Sequence, residues 1–321
     1  MRYLLYGLSA EADRPLPGLR AEPGAGDADL RLWIGSHPVA PSSISTPWYV
    51  ADRMAADGQP TVAAFRGGGW LRLRYADATE FTLDAAGTRV GCTWQAPLTL
   101  EDACTYLLGA VCGLVLRLRG AACVHASVVA IDGGALLVCG PAGAGKSTTA
   151  AAFAARGRKV LADDVAALDA GAGGVTVRAA YPHLRLWPDA VETLYGPGAD
   201  LPPLTPNWNK RYLDLAEGDP VFHGQALPVA GVAVLGGRES RDAPRMEPMR
   251  PADAVIAFVA NTYMGWLPDL AAQARDLAVY ARLAREVPFL RATAHADPAR
   301  LGELCELLER AAGPGRSGGD G

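Results

Sequence analysis

The sequence is poor in aromatic residues, 7% of 321, and has no strong excess of either charge. Thirty Lys and Arg stand against 34 Asp and Glu, a formal net charge of −4. So even a balance supplies no global field to gather nucleic acid or an anionic membrane surface, and neither is expected as a partner. The six cysteines (Cys92, Cys104, Cys112, Cys123, Cys139 and Cys305) include no C-x-x-C pair and sit mostly among apolar neighbours. That argues against a zinc or disulfide framework and for reduced core thiols. The longest apolar run, Ala103 to Leu116, is interrupted by Gly109 and Gly113. It falls short of the ~20 residues that span a bilayer and reads as a buried helix. The first residues carry only a short apolar stretch, below the about 7–15 residues of a secretory signal, so a soluble, cytoplasmic protein is expected. No internal repeat is present.

What the sequence does have is bulk: half its residues are hydrophobic, enough for a large core and about two domains. Residues 1–98 read as a β-rich N-terminal region. Trp70–Tyr75 alternates apolar and polar, Phe81 and Leu83 continue the pattern, and a turn at Asp84–Thr88 precedes a strand near Val90–Trp94. Thr99, with Asp102 three positions on, starts a helix over 99–120 expected to connect the two parts. From 121 to 312 the pattern becomes hairpin, Gly-rich loop, helix and strand. Asp132-Gly133 signals a tight turn between the strands Cys123–Ile131 and Ala135–Cys139. A helix follows from Lys146 to about Arg156, with Gly157 as its stop. Beyond an expected strand at Val175–Arg178, residues 181–228 read as long loops with short helices. Val229–Leu235 reads as a buried strand, Pro251–Met264 and Pro268–Arg285 as helices, Val287–Ala292 as a last strand and Pro298–Ala312 as a last helix. The tail, 313–321, is expected to be disordered.

The strongest signal is Gly140-Pro141-Ala142-Gly143-Ala144-Gly145-Lys146-Ser147, which fits G-x-x-x-x-G-K-[ST] at every fixed position. Glycines let such a loop turn its N–H groups toward phosphate, and the helix it opens aims its positive end at the same place. Residues 140–147, with Thr148 beside them, are the expected nucleotide site. Lys146 is positioned to reach the β- and γ-phosphates, and the Ser147 hydroxyl to ligate Mg²⁺. The loop does not say what happens to the γ-phosphate. A GTP switch needs N-K-x-D, and Asn209-Lys210-Arg211-Tyr212 lacks the aspartate. No transporter-type L-S-G-G-Q signature is present. A kinase needs a base and a second metal ligand. Leu161-Ala162-Asp163-Asp164 offers both at a strand end, which in a parallel α/β sheet faces the ligand crevice. Pairing Ile131 with Gly134 across the turn and counting back sets His125 opposite Gly140, at the mouth of the site.

His125, the loop and Leu161-Ala162-Asp163-Asp164-Val165 together resemble the HPr kinase/phosphorylase family over roughly 122–168. The resemblance implies a P-loop kinase core related to HPr kinase and phosphoenolpyruvate carboxykinase, using ATP and Mg²⁺. It makes Asp163 the catalytic base with His125 as partner, Lys146 the catalytic cation, and Ser147 and Asp164 the metal ligands. The family's later E-I-R-G-like stretch is not found; the corresponding region reads Tyr181-Pro-His-Leu-Arg-Leu-Trp187. His125-Ala-Ser, Leu184-Arg-Leu-Trp-Pro188 and Lys210-Arg211 resemble more closely the HPr-kinase-like proteins of lasso-peptide clusters. That implies a kinase acting on a serine hydroxyl of a peptide or protein, a lasso precursor in particular. HPr(Ser) kinase, a small-molecule kinase and a nucleotide-binding regulator without phosphotransfer are the alternatives, and a homo-oligomer is left open. Arg185, Lys210 and Arg211 are further candidate phosphate or substrate contacts.

Overall fold

The computed structural model describes residues 1–24, 26–217, 221–267 and 269–312, so the tail at 313–321 lies outside the described residues. The chain is mixed α/β and divides into two compact units: Met1–Cys123 with Pro203–Lys210 and Tyr263–Asp276, and Val124–Pro202 with Arg211–Thr262 and Leu277–Gly321. The units therefore interleave in sequence rather than meeting at one boundary near 120.

The first unit is built on an eight-stranded sheet. Its alternating strands do what their spacing asks: in Trp70–Tyr75, Leu71 and Leu73 are buried, paired across the sheet with the buried Leu83 and Phe81. At the turn after Glu80–Asp84, the Asp84 carboxylate accepts from Thr88 N (2.7 Å), Thr88 Oγ1 (2.6 Å) and Arg89 N (2.9 Å), closing the hairpin to Arg89–Thr93. The helix begins as the sequence indicates. Thr99 accepts from Asp102 N, and the Asp102 carboxylate accepts from Thr99 N, a reciprocal cap. It runs Leu100–Tyr106, loosens to a π segment at Leu107–Val111, and resumes over Cys112–Leu118. Gly113 admits the Tyr263 ring, which would lie 2.7 Å from an added Cβ. Expected as a connector, this helix is instead part of the first unit, where Asn207 Nδ2 donates to Asp102 (2.6 Å) and Arg117 lies 2.7 Å from Asp276.

In the second unit the hairpin Ala126–Ile131/Gly134–Cys139 folds in the expected register, Ile131 opposite Gly134. Asp132 (φ 48°) and Gly133 (φ 83°) both take the left-handed conformation that a two-residue hairpin turn requires. Gly134–Cys139 then pairs in parallel with Leu227–Glu239, which pairs in parallel with Phe289–His295. The strand Val160–Ala162, carrying the acids at its end, does not lie beside Gly134–Cys139; Ala126–Ile131 lies between, antiparallel to both. The sheet is mixed where a parallel one was expected. Two reversals restore the direction, so Val160–Ala162 still ends on the same side as the loop.

The Ala-rich helix Lys146–Ala155 packs Ala150, Ala151 and Phe153 on Val129, Leu136 and Val138 and against Leu304 and Leu308 of Leu301–Ala312. It stops at Gly157 (φ 78°), with Arg158 N donating back to Phe153 O. Within 181–228, expected as loops and short helices, His183–Leu186 pairs with Arg211–Asp214 and a helix spans Pro188–Tyr195. Helices at Pro251–Ala260 and Leu270–Glu286 stand close to the expected spans. All six cysteines are buried and unbridged, and burial raises the Cys139 thiol to about 12 although Lys146 pulls it the other way. Among the described residues, no helix is long and apolar enough to cross a membrane.

Candidate active site

The loop after Gly134–Cys139 turns on three left-handed glycines, Gly140 (φ 142°), Gly143 (φ 81°) and Gly145 (φ 102°). At Gly140 the requirement is also one of space, since an added Cβ would meet Leu235 O at 2.8 Å. Gly145 is the N-cap of the helix Lys146–Ala155, whose free N–H groups and dipole make its start an anion site. Pro141, Ala142 and Gly143 are exposed, while Ala144, Ser147 and Thr148 are half-buried. Lys146 is buried and donates from Nζ to Gly140 O (2.8 Å) and Pro141 O (3.0 Å). A buried ammonium turned back onto the loop's own carbonyls fits a group that exchanges those bonds for an incoming phosphate.

The two acids that follow Val160–Ala162 stand in different surroundings. Asp163 is 5% exposed. Its Oδ1 accepts from Ser127 Oγ (2.6 Å) and Ser147 Oγ (2.9 Å), and its Oδ2 lies 3.5 Å from Arg185 N. No cation pairs with it among the described residues. Buried carboxylates are ordinarily paired or bound to metal, so Asp163 with Ser147 fits a divalent cation. No group of three or more His, Cys, Asp or Glu that could hold a metal ion is found among the described residues, this site included. Mg²⁺ bound to a nucleotide needs only one or two carboxylates, since phosphates and waters supply the rest.

Asp164 turns the chain with φ 71°, a rare conformation for a residue with a Cβ, and Val165 N closes back on Asp163 O (2.9 Å). His125 holds this turn: Nδ1 lies 2.9 Å from Asp164 O and 3.1 Å from Asp164 Oδ1. Facing two acceptors, Nδ1 carries the proton. The expected register holds as far as Ala126–Cys139, where the ladder ends one pair short of His125–Gly140, and His125 N bonds Asn261 O (2.7 Å). The structure thus places His125 on Asp164 and Ser147 on Asp163, the reverse of the pairing implied by the family resemblance.

Of the other candidates, Arg185 comes near through its backbone, while its Nη2 donates to Tyr181 OH (3.1 Å). Lys210 falls in the first unit and Arg211 in the second, paired opposite Leu186. Two residues were missed. Ser127 stood inside the quoted His125-Ala-Ser string without a role, although a hydroxyl in a fully buried β-branched strand is itself a signal. Arg238 is exposed at the end of Leu227–Glu239, past a bulge at Gly236-Gly237, and its Nη2 lies 3.4 Å from where a Gly145 Cβ would sit.

No family model matches the chain, and no curated protein does. Among solved structures it is similar to the Hpr(Ser) kinase/phosphatase from Coxiella burnetii at 15% identity, over 59% of this chain and 88% of that one, with a TM-score of 0.30. A superposition that loose adds nothing to what the site's own geometry supports.

Proposed function

We propose that this chain is an ATP- and Mg²⁺-dependent kinase that phosphorylates a serine hydroxyl of a peptide or protein. One observation carries the reading: the glycine loop with Lys146, a buried carboxylate without a cation partner among the described residues and a strained, histidine-held carboxylate meet at the same end of one sheet. Lys146 and the backbone N–H groups of Gly140 and of residues 142–148 bind the phosphates, with Arg238 as a further cation at the rim. Ser147 and Asp163 hold the metal, which when bound neutralises charge on the phosphates. Asp164 is the more exposed acid, with 28% of its side chain open, and it accepts the proton of the attacking hydroxyl. His125 keeps Asp164 in place through Nδ1–H. The base and the metal ligand therefore exchange positions relative to the family resemblance. Strain at a non-glycine residue persists only where its surroundings over-determine it, and such sites cluster where chemistry occurs.

The test is transfer of label from γ-labelled ATP, with Mg²⁺, to candidate serine peptides, beginning with a lasso precursor because of the His125-Ala-Ser and Leu184–Pro188 strings. Lys146→Ala is expected to reduce transfer by about 10²–10³-fold. Full activity in that variant would overturn the assignment. Nucleotide binding without transfer to peptide, HPr-type protein or small molecule would favour a regulatory protein.

A further inference from the structure

Ser127 lies in the middle of a strand that has no need of a hydroxyl. Its neighbours Ala126, Val128 and Val129 are apolar and, like Ser127 itself, fully buried. A buried strand of this kind favours valine at every position, and a hydroxyl there costs free energy unless it is hydrogen-bonded. The register explains the partner. Val128 pairs with Ala162, and one step further along the same antiparallel pairing Ser127 comes opposite Asp163. There its Oγ donates to Asp163 Oδ1 at 2.6 Å. The same oxygen accepts from Ser147 Oγ at 2.9 Å.

A hydroxyl has one proton and two lone pairs. When Ser147 donates its proton to Asp163, its lone pairs are left for a cation on the loop side. That orientation lasts only while Asp163 keeps Oδ1 toward Ser147. We propose that Ser127 is a positioning residue for the metal side of the site: by anchoring Asp163 Oδ1 from beneath, it fixes the direction in which Ser147 offers its lone pairs to Mg²⁺. The inference rests on the metal-side reading of Ser147 and Asp163 given above. It assigns Ser127 no contact with nucleotide or acceptor.

The experiment compares Ser127→Thr with Ser127→Val in the full chain. The two share shape and volume, so strain from the added methyl is common to both and only the hydroxyl differs. Binding of a fluorescent ATP analogue is followed across a Mg²⁺ titration and in EDTA. Outer partners of metal ligands are typically worth about 10–100-fold in metal affinity. The valine variant should therefore need about tenfold more Mg²⁺ than the threonine variant for half-maximal binding, with equal affinities in EDTA. Ser127→Ala, which adds no bulk, should match valine against the wild type and keeps the test valid if the larger side chains unfold the protein. Equal Mg²⁺ dependence with and without the hydroxyl, in wild type and alanine as in threonine and valine, overturns the role of Ser127 alone. A wild-type protein whose nucleotide binding ignores Mg²⁺ overturns this inference and the metal-side reading together.

Discussion

Both units bury acidic side chains, and they close them off in different ways. In the first, Asp276 faces Arg117, Asp102 is held by Thr99 and Asn207, and Asp84 by Thr88 and Arg89. In the second, Asp163 is as deeply buried but among the described residues meets only hydroxyls and one distant backbone N–H. Asp84 and Asp102 show what closure does. Burial alone would raise both carboxyls, yet donated hydrogen bonds outweigh it and hold both below the usual carboxylate range. Asp276 shows the limit of closure. Burial raises it, and the charge and hydrogen bond of Arg117, 2.7 Å away, offset only part. A buried acid already supplied with a cation or a full set of donors supports the fold. One left with hydroxyls and a distant N–H still calls for a cation, and in this chain it stands beside the glycine loop 140–145.

The contrast is sharpest at the adjacent acids. Asp164→Asn should lower the single-turnover rate by about 10²–10⁴-fold while Mg²⁺-nucleotide affinity stays near wild type, since the amide cannot take the hydroxyl proton. Loss of affinity with turnover retained would return the base to Asp163.

The first unit should answer to stability instead. Asp276→Ala leaves Arg117 buried without its counter-charge and should cost about 3–5 kcal/mol in chemical denaturation. A loss below about 1 kcal/mol would mean that the pair is not closed off in solution and that the contrast fails on this side.

Asp163→Asn should raise the Mg²⁺ needed for nucleotide binding by about 10–100-fold. Because the site is open, this variant should lose less stability than Asp276→Ala. If it instead unfolds the protein as readily, Asp163 is a structural acid like those of the first unit.

The smallest effect concerns His37, whose Nδ1 lies 3.1 Å from Thr82 Oγ1 and whose Nε2 lies 2.9 Å from Thr93 Oγ1. Burial holds its pKa below the ordinary histidine value of 6.5, with Glu80 opposing in part. The unfolded chain therefore takes up this proton first as pH falls, and stability is lost as pH drops through about 6.5. His37→Gln should flatten the decline of Tm between about pH 7.5 and 5.5. An unchanged slope would remove His37 from the pH response of the first unit.

Local chemistry settled much of this protein in advance. The three glycines and Lys146-Ser147 specify a loop that only a strand-to-helix turn can hold. Thr99 and Asp102 write their own helix cap, and Asp132-Gly133 fixes the hairpin register through positive φ. Such features depend on residues a few positions apart, so the order of residues is sufficient to read them. The division of labour between Asp163 and Asp164 could not be read that way, because neighbours in sequence share every local signal. It was decided by the strand Ala126–Ile131, which comes between the loop strand and the acid strand and brings Ser127 opposite Asp163. It was decided also by the left-handed turn at Asp164, which presents the second carboxylate to His125. Both depend on pairing between segments distant in the chain, and only the folded sheet brings those together.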